Sequence, residues 1–551
     1  MYKLYNEQVT YTQVKEDSAM ASKVFLRNKK YGRTYVYDNF SYWDKEEKKP
    51  KSKRKCIGHV DPVTGEIVPN RKKGDKRKET NGTAGTAQVN TVQEGEQMQE
   101  VPKCSVLDCG VTTLLNQAAK ETGLDTVLTR VFPQDSAAIL TCAYYLVSEG
   151  QALSRAEQWT AHTLTPCGGV LADQRISELL QRITPSLTED FFKAWIDWNR
   201  SQEYYCMDIT SVSSYSELNH FASYGYNRDG EDLPQINLLM VTGQVSHLPL
   251  FYRALPGSIK DVSTLDESLR RLELVDVKIL HLVMDKGFYS EANMMALYAR
   301  HIRFVIGVPF TASLAKDSVE RHRGEDMTSC KNYAEVMGDE LFAVSECITW
   351  NHHRMYLHTY FDPVKAALDE KKFGHKIRCE YQELVTGELV KEHQKDYDRF
   401  FTVRETPKRG RQVDYNQDAI DAHKKNTAGW FVIATNDIKD PEKALEVYRL
   451  KDAVEKNFDD MKNDLDMNRL RIHSAQAMDG RLFIQYIAEI LLSRIRSVMK
   501  ESGELKNHSI QEVIDEMKSV RQVTVEKKRS RIVTTLSAFQ KRIVKIFHLP
   551  F

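Results

Sequence analysis

The stretch Tyr204-Tyr-Cys-Met-Asp-Ile-Thr210 decides how this chain reads. It is a short run of β-favouring residues carrying an acid at its end, the pattern of a buried strand that delivers a carboxylate to one side of a sheet. Two more strands follow at 236–242 and 248–254, then a helix at 262–272, a strand at 278–284, a helix at 291–300 and a strand at 304–308. Strands alternating with helices predict an α/β fold. The rhythm breaks over 311–428, where β-like pieces at 341–350 and 354–361 alternate with highly charged stretches. It resumes with a strand at 430–435 and one long helix from Asp440 to about residue 466. Asp440-Pro441-Glu442 starts that helix with a capping carboxylate, a proline at the first position and an acid in the first turn. Residues 311–428 therefore read as a mostly β insertion, and the core as two parts, 201–310 and 429–476.

The flanks are of other kinds. Residues 1–69 read as a small basic β unit, with a strand at 34–37 and a turn at Asp61-Pro-Val-Thr-Gly65, and 70–103 as a disordered linker with almost no large apolar residues. Residues 104–200 read as a helical region, from apolar spacings of three and four at 111–122, 136–148 and 188–199. Residues 477–551 read as a second helical region, ending in a basic amphipathic stretch at 536–547.

Of the 551 residues 41% are hydrophobic and 28% charged, enough apolar material for a packed core, which excludes a wholly disordered chain. No apolar run reaches 18 residues, which excludes a helix spanning a membrane, and the first residues have no signal-peptide pattern. Nine scattered cysteines without paired CxxC spacing give no zinc site and fit a reducing, cytoplasmic setting. The net charge of +1 hides basic ends: residues 1–79 carry 20 Lys/Arg against 11 Asp/Glu, and 518–551 carry 9 against 1. That distribution fits a polyanionic partner and equally a solvated charged surface.

Three segments carry the chemistry. Asp208 sits in the first strand, and Asp285 closes a later one in Leu282-Val-Met-Asp-Lys-Gly-Phe288. Acids at the carboxyl ends of neighbouring strands converge in the crevice where α/β proteins bind ligands, although either alone could cap a turn. The third segment is Tyr448-Arg-Leu-Lys-Asp-Ala-Val-Glu-Lys-Asn-Phe-Asp-Asp-Met-Lys462. On one continuous helix Tyr448, Lys451, Glu455 and Lys462, at i, i+3, i+7 and i+14, share a face. A carboxylate flanked by two cations and a phenol suits a metal-bound phosphodiester, and the same face could be stapled by ion pairs alone.

Together these segments resemble the DDE transposases of bacterial insertion sequences, in the superfamily whose glutamate lies in a Y-x2-R-x3-E-x6-K signature. Tyr448, Glu455 and Lys462 match, while Lys451 stands at the arginine position, keeping the charge without the bidentate phosphate geometry. Gly225-Tyr-Asn-Arg228-Asp-Gly230 resembles the stretch after the first aspartate, and Asp285-Lys-Gly-Phe288 the D-R-G-F at the second. The succession of strands and helices resembles a ribonuclease-H-like sheet, and the 311–428 break falls where this superfamily carries its insertion.

The resemblance implies that Asp208, Asp285 and Glu455 hold two Mg²⁺ or Mn²⁺ ions, cutting the ends of an insertion sequence and joining the freed 3′ ends to target DNA in a cut-and-paste reaction. It implies that Tyr448, Lys451, Lys462, Arg228 and Trp430 contact DNA. Trp430 lies on the strand where hairpin-forming relatives place a tryptophan that stacks on a flipped base. Partners would be double-stranded DNA, at terminal inverted repeats and target, and a second copy of the chain; the place of work would be the bacterial cytoplasm, on the nucleoid. The alternatives are a ribonuclease-H-like nuclease without strand transfer, and a catalytically silent DNA-binding protein derived from a transposase. A D-x-T phosphatase is disfavoured, because Thr210 stands where its second aspartate belongs.

Overall fold

The computed structural model describes residues 21–27, 34–44, 49–60, 67–69, 104–201, 203–214, 221–225, 227, 230–259, 263–274, 281–323, 327–406, 410–470, 474–525 and 530–551. The expected turn at 61–65, the linker at 70–103 and Arg228 lie outside the described residues, apart from Cys104 onward. The chain divides into two compact units, 1–99 and 100–551. In the first, strands Ala21–Arg27, Thr34–Asp44, Lys49–Val60 and Ile67–Pro69 pair in that order as an antiparallel sheet.

The second unit is built on one large mixed sheet. Its strands are β1 (Tyr205–Ser214), β2 (Gln235–Gly243), β3 (Pro249–Pro256), β4 (His281–Met284), β5 (Arg303–Val308), β6 (Tyr333–Val336), β7 (Asp339–Trp350), β8 (His353–Phe361) and β9 (Trp430–Thr435). They lie in the order β6-β7-β8-β9-β5-β4-β1-β2-β3. β1, β2 and β3 form an antiparallel meander, β4 runs parallel to β1, and β5 parallel to β4. That order, 3-2-1-4-5 with the last two parallel to the first, is the ribonuclease-H-like arrangement. β9 then joins β5 antiparallel and carries β8, β7 and β6 beyond it. Every residue of β2 is buried, and in β1 only Asp208 is partly exposed, as befits central strands covered on both faces.

Where the sequence predicts one helix from Asp440 to about 466, the structure has two: α1 (Pro441–Arg449), started as expected by Asp440 and Pro441, and α2 (Asp452–Asn463). Between them the backbone tightens to bonds three residues apart, Lys451 N–H to Tyr448 O at 3.3 Å and Val454 N–H to Lys451 O at 3.0 Å. The two helices face different supports, α1 the β5 and β9 side and α2 the β1 and β2 side, so the chain must turn between them. α3 (Ala475–Glu501) contains the apolar run 482–492 and is buried nearly all round, which a helix hydrophobic on every side requires. It packs on α2, on β3 and on the helices Gly110–Thr122, Ser136–Glu149 and Asp173–Arg182, so the two helical flanks share the core of the sheet. Strands Cys104–Asp108, Arg521–Val525 and Ser530–Val533 tie the same flanks together in a small sheet.

The insertion is more helical than its reading. Its strands β6 to β8 extend the main sheet rather than forming a separate domain. What stands apart is a lobe of the 24-residue helix Pro363–Thr386, the helices Gln394–Phe400 and Gln417–Thr427, and the hairpin Phe401–Thr406 with Gly410–Tyr415. The lobe has its own core of Ile377, Leu384, Tyr397, Phe400, Phe401 and Ile420. Dense charge hides the helical period in 363–386, because only a narrow stripe through Phe373, Ile377 and Leu384 is apolar.

Candidate active site

Strand register brings the two aspartates together. In the β1–β4 pair Met207 lies opposite Met284, so Asp208 and Asp285 are the next residues of neighbouring parallel chains. Side chains at matched positions share a face of the sheet. β1 does not end at Asp208, as the sequence reading has it, but runs on to Ser214; it is β4 that stops, at Met284, and opens the space beyond its end. In β5 Ile306 is paired with Met284, which sets Gly307 beside Asp285 in the same row.

α1 and α2 close this row from above. The Tyr448 hydroxyl donates to Asp285 Oδ1 at 2.9 Å. It can do so because residue 307 is glycine: a Cβ there would stand 2.6 Å from the Tyr448 oxygen. The tightened turn after Tyr448 eclipses residues three apart, and Lys451 Nζ accordingly lies over the Tyr448 ring, 6.0 Å from its centre. Lys451 donates in turn to Glu455 Oε1, one helical turn on. Thus Tyr448, Lys451 and Glu455 meet as expected, although the turn between two helices, and not one continuous face, brings them there.

The electrostatics report one shared site. Burial opposes the Lys451 ammonium, but the carboxylates of Glu455, Asp285 and Asp208 outweigh it and hold its pKa above the usual lysine value. Burial, then Asp285, then Asp208 and Glu455 push the Tyr448 phenol far above its ordinary range, so it stays a donor. Asp208 Oδ1 accepts the Ile209 amide at 2.8 Å. Among the described residues no three His, Cys, Asp or Glu side chains are close enough to hold a metal ion as they stand; the Glu455 carboxylate is turned to Lys451. The acids expected there fit a hard divalent cation in kind: Asp208, Asp285 and Glu455 all offer carboxylate oxygens.

The remaining expected residues are spread wider. Lys462 is half-buried two turns beyond Glu455, where it adds to the pull of Arg469 that keeps Glu231 below the usual carboxylate range. Arg449 is engaged by the main sheet, donating to Val336 O at 2.7 Å and pairing with Asp339 at 3.0 Å. Trp430 is buried, 8% exposed, with its ring 4.9 Å from that of Phe361 and the Arg323 guanidinium 5.7 Å from its centre.

A cavity of about 890 Å³ runs from Asp285 and Tyr448 past Trp430 to the insertion lobe. Its walls carry Lys286, Lys316, Arg323, Lys365, Arg399 and Arg449, against the acids Asp285, Glu320 and Asp362. The sequence reading missed this basic wall, whose members come from five separate segments. It also missed Gly307, for which a lone glycine inside an apolar strand was the available signal of a close approach.

A family model described as Transposase DDE domain matches residues 200–491, more than half of the chain, from the residues just before β1 into α3. No curated protein sequence matches. Among solved structures the chain is similar to the piggyBac transposase synaptic complex with hairpin DNA, at 11% identity over 80% of this chain and 76% of that one, with a TM-score of 0.36. It is also similar to the Mos1 transposase paired-end complex with the left transposon end (13% identity, 42% and 67%, TM-score 0.14). A third likeness is to the Drosophila P element transposase strand transfer complex (12% identity, 69% and 88%, TM-score 0.13).

Proposed function

Because the chain belongs to the Transposase DDE domain family, we propose that it binds the ends of a mobile DNA element, cleaves DNA strands there and transfers the freed 3′ ends to target DNA. One arrangement carries this reading: Asp208 and Asp285 stand at matched positions of neighbouring strands, and Tyr448, bonded to Asp285, and Lys451, bonded to Glu455, bring the third segment to the open end of β4. These three carboxylates would hold Mg²⁺ or Mn²⁺, which when bound activates a nucleophile and offsets charge on the leaving oxygen.

The chain's own residues do the rest. Tyr448 keeps one Asp285 oxygen fixed by its hydrogen bond, leaving the other oriented toward the cleft. Lys451 neutralises part of the carboxylate charge, so that a phosphodiester can approach, and its ammonium would be placed to pair with a phosphate oxygen. The cations along the cavity would hold the backbone of the strand leading into the site. Trp430 takes a structural part in the cavity wall. A partner copy of the chain would present the second DNA end.

Asp208→Asn, Asp285→Asn and Glu455→Gln should each abolish metal-dependent cleavage of duplex DNA taken from the flanks of the gene, while binding stays within about threefold because only neutral isosteres replace the acids. Full cleavage by any of the three removes that residue from the site. Analysis of the products separates the readings: joined strands are expected, and hydrolysis without joining would leave only a nuclease.

A further inference from the structure

Behind the glutamate helix lies a buried polar group that the proposed chemistry does not use. Glu489, on α3, is fully buried, as are Asn457 on α2, Ser493 on α3 and Thr242 on β2. Asn457 lies two residues beyond Glu455, about 200° round the helix, so one faces the cleft when the other faces the core. In the amide orientation that satisfies both ends, the Asn457 nitrogen donates to Glu489 Oε1 and Ala453 O, both at 3.2 Å, and its oxygen accepts from Thr242 Oγ1 at 3.1 Å. Ser493 Oγ donates to Glu489 Oε1 at 3.0 Å.

We propose that Glu489 is a positioning residue which, through Asn457, sets the rotation of α2 and with it the direction of the Glu455 carboxylate; the proposal rests on the assignment of Glu455 to the site.

Glu489 suits this role as an uncharged acid. Its hydrogen-bond partners Ser493 and Asn457 are neutral. The cation nearest in the network, Arg496, is paired with Asp460. The charged groups acting on Glu489 are Asp460 and Asp464 from the α2 end and Arg496 from α3, while Thr242, the β2 residue in the network, is neutral. Burial first, and Asp460 next, push its pKa well above the usual 4.5. A buried polar network of this kind costs stability relative to apolar packing but selects one arrangement, which is what a helix carrying a reacting group needs. Replacing the acid by an apolar side chain should therefore spare the fold and loosen the angle. Misplacement of a reacting group by about 1 Å costs roughly a hundredfold in rate.

The test uses the full chain, with Mn²⁺-dependent nicking of a supercoiled plasmid for activity and a fluorescent duplex for binding. Glu489→Leu should keep its melting temperature and duplex affinity, slow nicking roughly ten- to a hundredfold, and speed hydrogen exchange of amides in α2 alone. Glu489→Gln should restore both rate and exchange protection. Nicking by Glu489→Leu at the normal rate, or a Glu489→Gln protein as slow as Glu489→Leu, overturns the proposal. Should Glu489→Leu fail to fold, Asn457→Ala makes the same case: slowed nicking with binding kept supports it, and a normal rate overturns it. Glu455→Gln run alongside keeps the two readings apart. If it nicks normally, the site assignment itself falls; if it is inactive while Glu489→Leu is normal, only the positioning role falls.

Discussion

At the scale of single residues, the site turns on one missing side chain. Gly307 lies in the row formed with Asp208 and Asp285, and the space its Cβ would fill is taken by the Tyr448 hydroxyl. Gly307→Ala should therefore lift Tyr448 off Asp285. A hydrogen bond to a charged group is worth about 1.5–3 kcal/mol, so cleavage should fall roughly ten- to a hundredfold. Tyr448→Phe removes the same bond without the clash and should give a loss of similar size. The two changes act on one contact, so in the double variant the losses should not add; cleavage rates of the four proteins decide, and fully additive losses would show that Gly307 acts elsewhere. Trp430, by contrast, illustrates a residue whose surroundings no local pattern discloses. A tryptophan opening a strand is equally readable as core or as contact, and only the packing of Phe361 and Arg323 around it places it in a wall.

At the scale of elements, the join between α1 and α2 does what a continuous helix was expected to do. The tightened turn at Leu450 and Lys451 stacks Lys451 over Tyr448 and points it at Glu455. Lys456, one residue beyond Glu455, is exposed and lies 3.8 Å from Asp459. Lys451→Ala should thus cut DNA cleavage tenfold or more, since a partly buried charge contact is lost in a crowd of carboxylates. Lys456→Ala should leave cleavage near normal. If the order is reversed in a cleavage assay, the register of α2 differs from that described. The α2–α3 contact also predicts a pH effect on stability. The folded pKa of Glu489 is raised, so the folded state holds a proton that the unfolded chain releases near 4.5. Its contribution to stability is complete below that pH and is lost as pH rises toward the folded value. Glu489→Gln cannot ionise, so melting temperatures should show its advantage over the normal chain growing from pH 4 to pH 8. An advantage that is constant with pH would mean that Glu489 is charged in the fold.

At the scale of the whole molecule, two bodies of different character share one chain. The larger unit holds the large sheet and both helical flanks around a common core, with the insertion lobe on a core of its own. The other unit, within residues 1–99, is a small sheet whose sequence carries most of the basic excess of the N-terminal end. Each Lys or Arg that neutralises a phosphate releases counterions, and log affinity falls with log salt in proportion to their number. Removing residues 1–99 should therefore flatten the salt dependence of duplex binding measured between low and physiological salt. An unchanged slope would mean that this unit does not touch DNA.

The sequence by itself determined the central strands and the acids they carry, because a buried strand and a capped helix start are written in local periodicity and a few side chains. Strands β2, β5, β8 and β9 fall within two residues of their readings, and Asp440-Pro441 starts α1 as its side chains require. The Tyr448–Lys462 spacing likewise put Tyr448, Lys451 and Glu455 close together, while Lys462 lies apart beside Glu231. Only the tertiary structure decided the rest. The break between α1 and α2 has no proline or glycine to announce it and arises because the helices lean on different strands. Strands β6 to β8 join the main sheet because β9 leaves them an edge to pair with, a long-range choice that no local pattern encodes. The basic cavity, the space above Gly307 and the buried Glu489–Asn457 contact all depend on which segments far apart in sequence come to share one neighbourhood, and that is settled by packing.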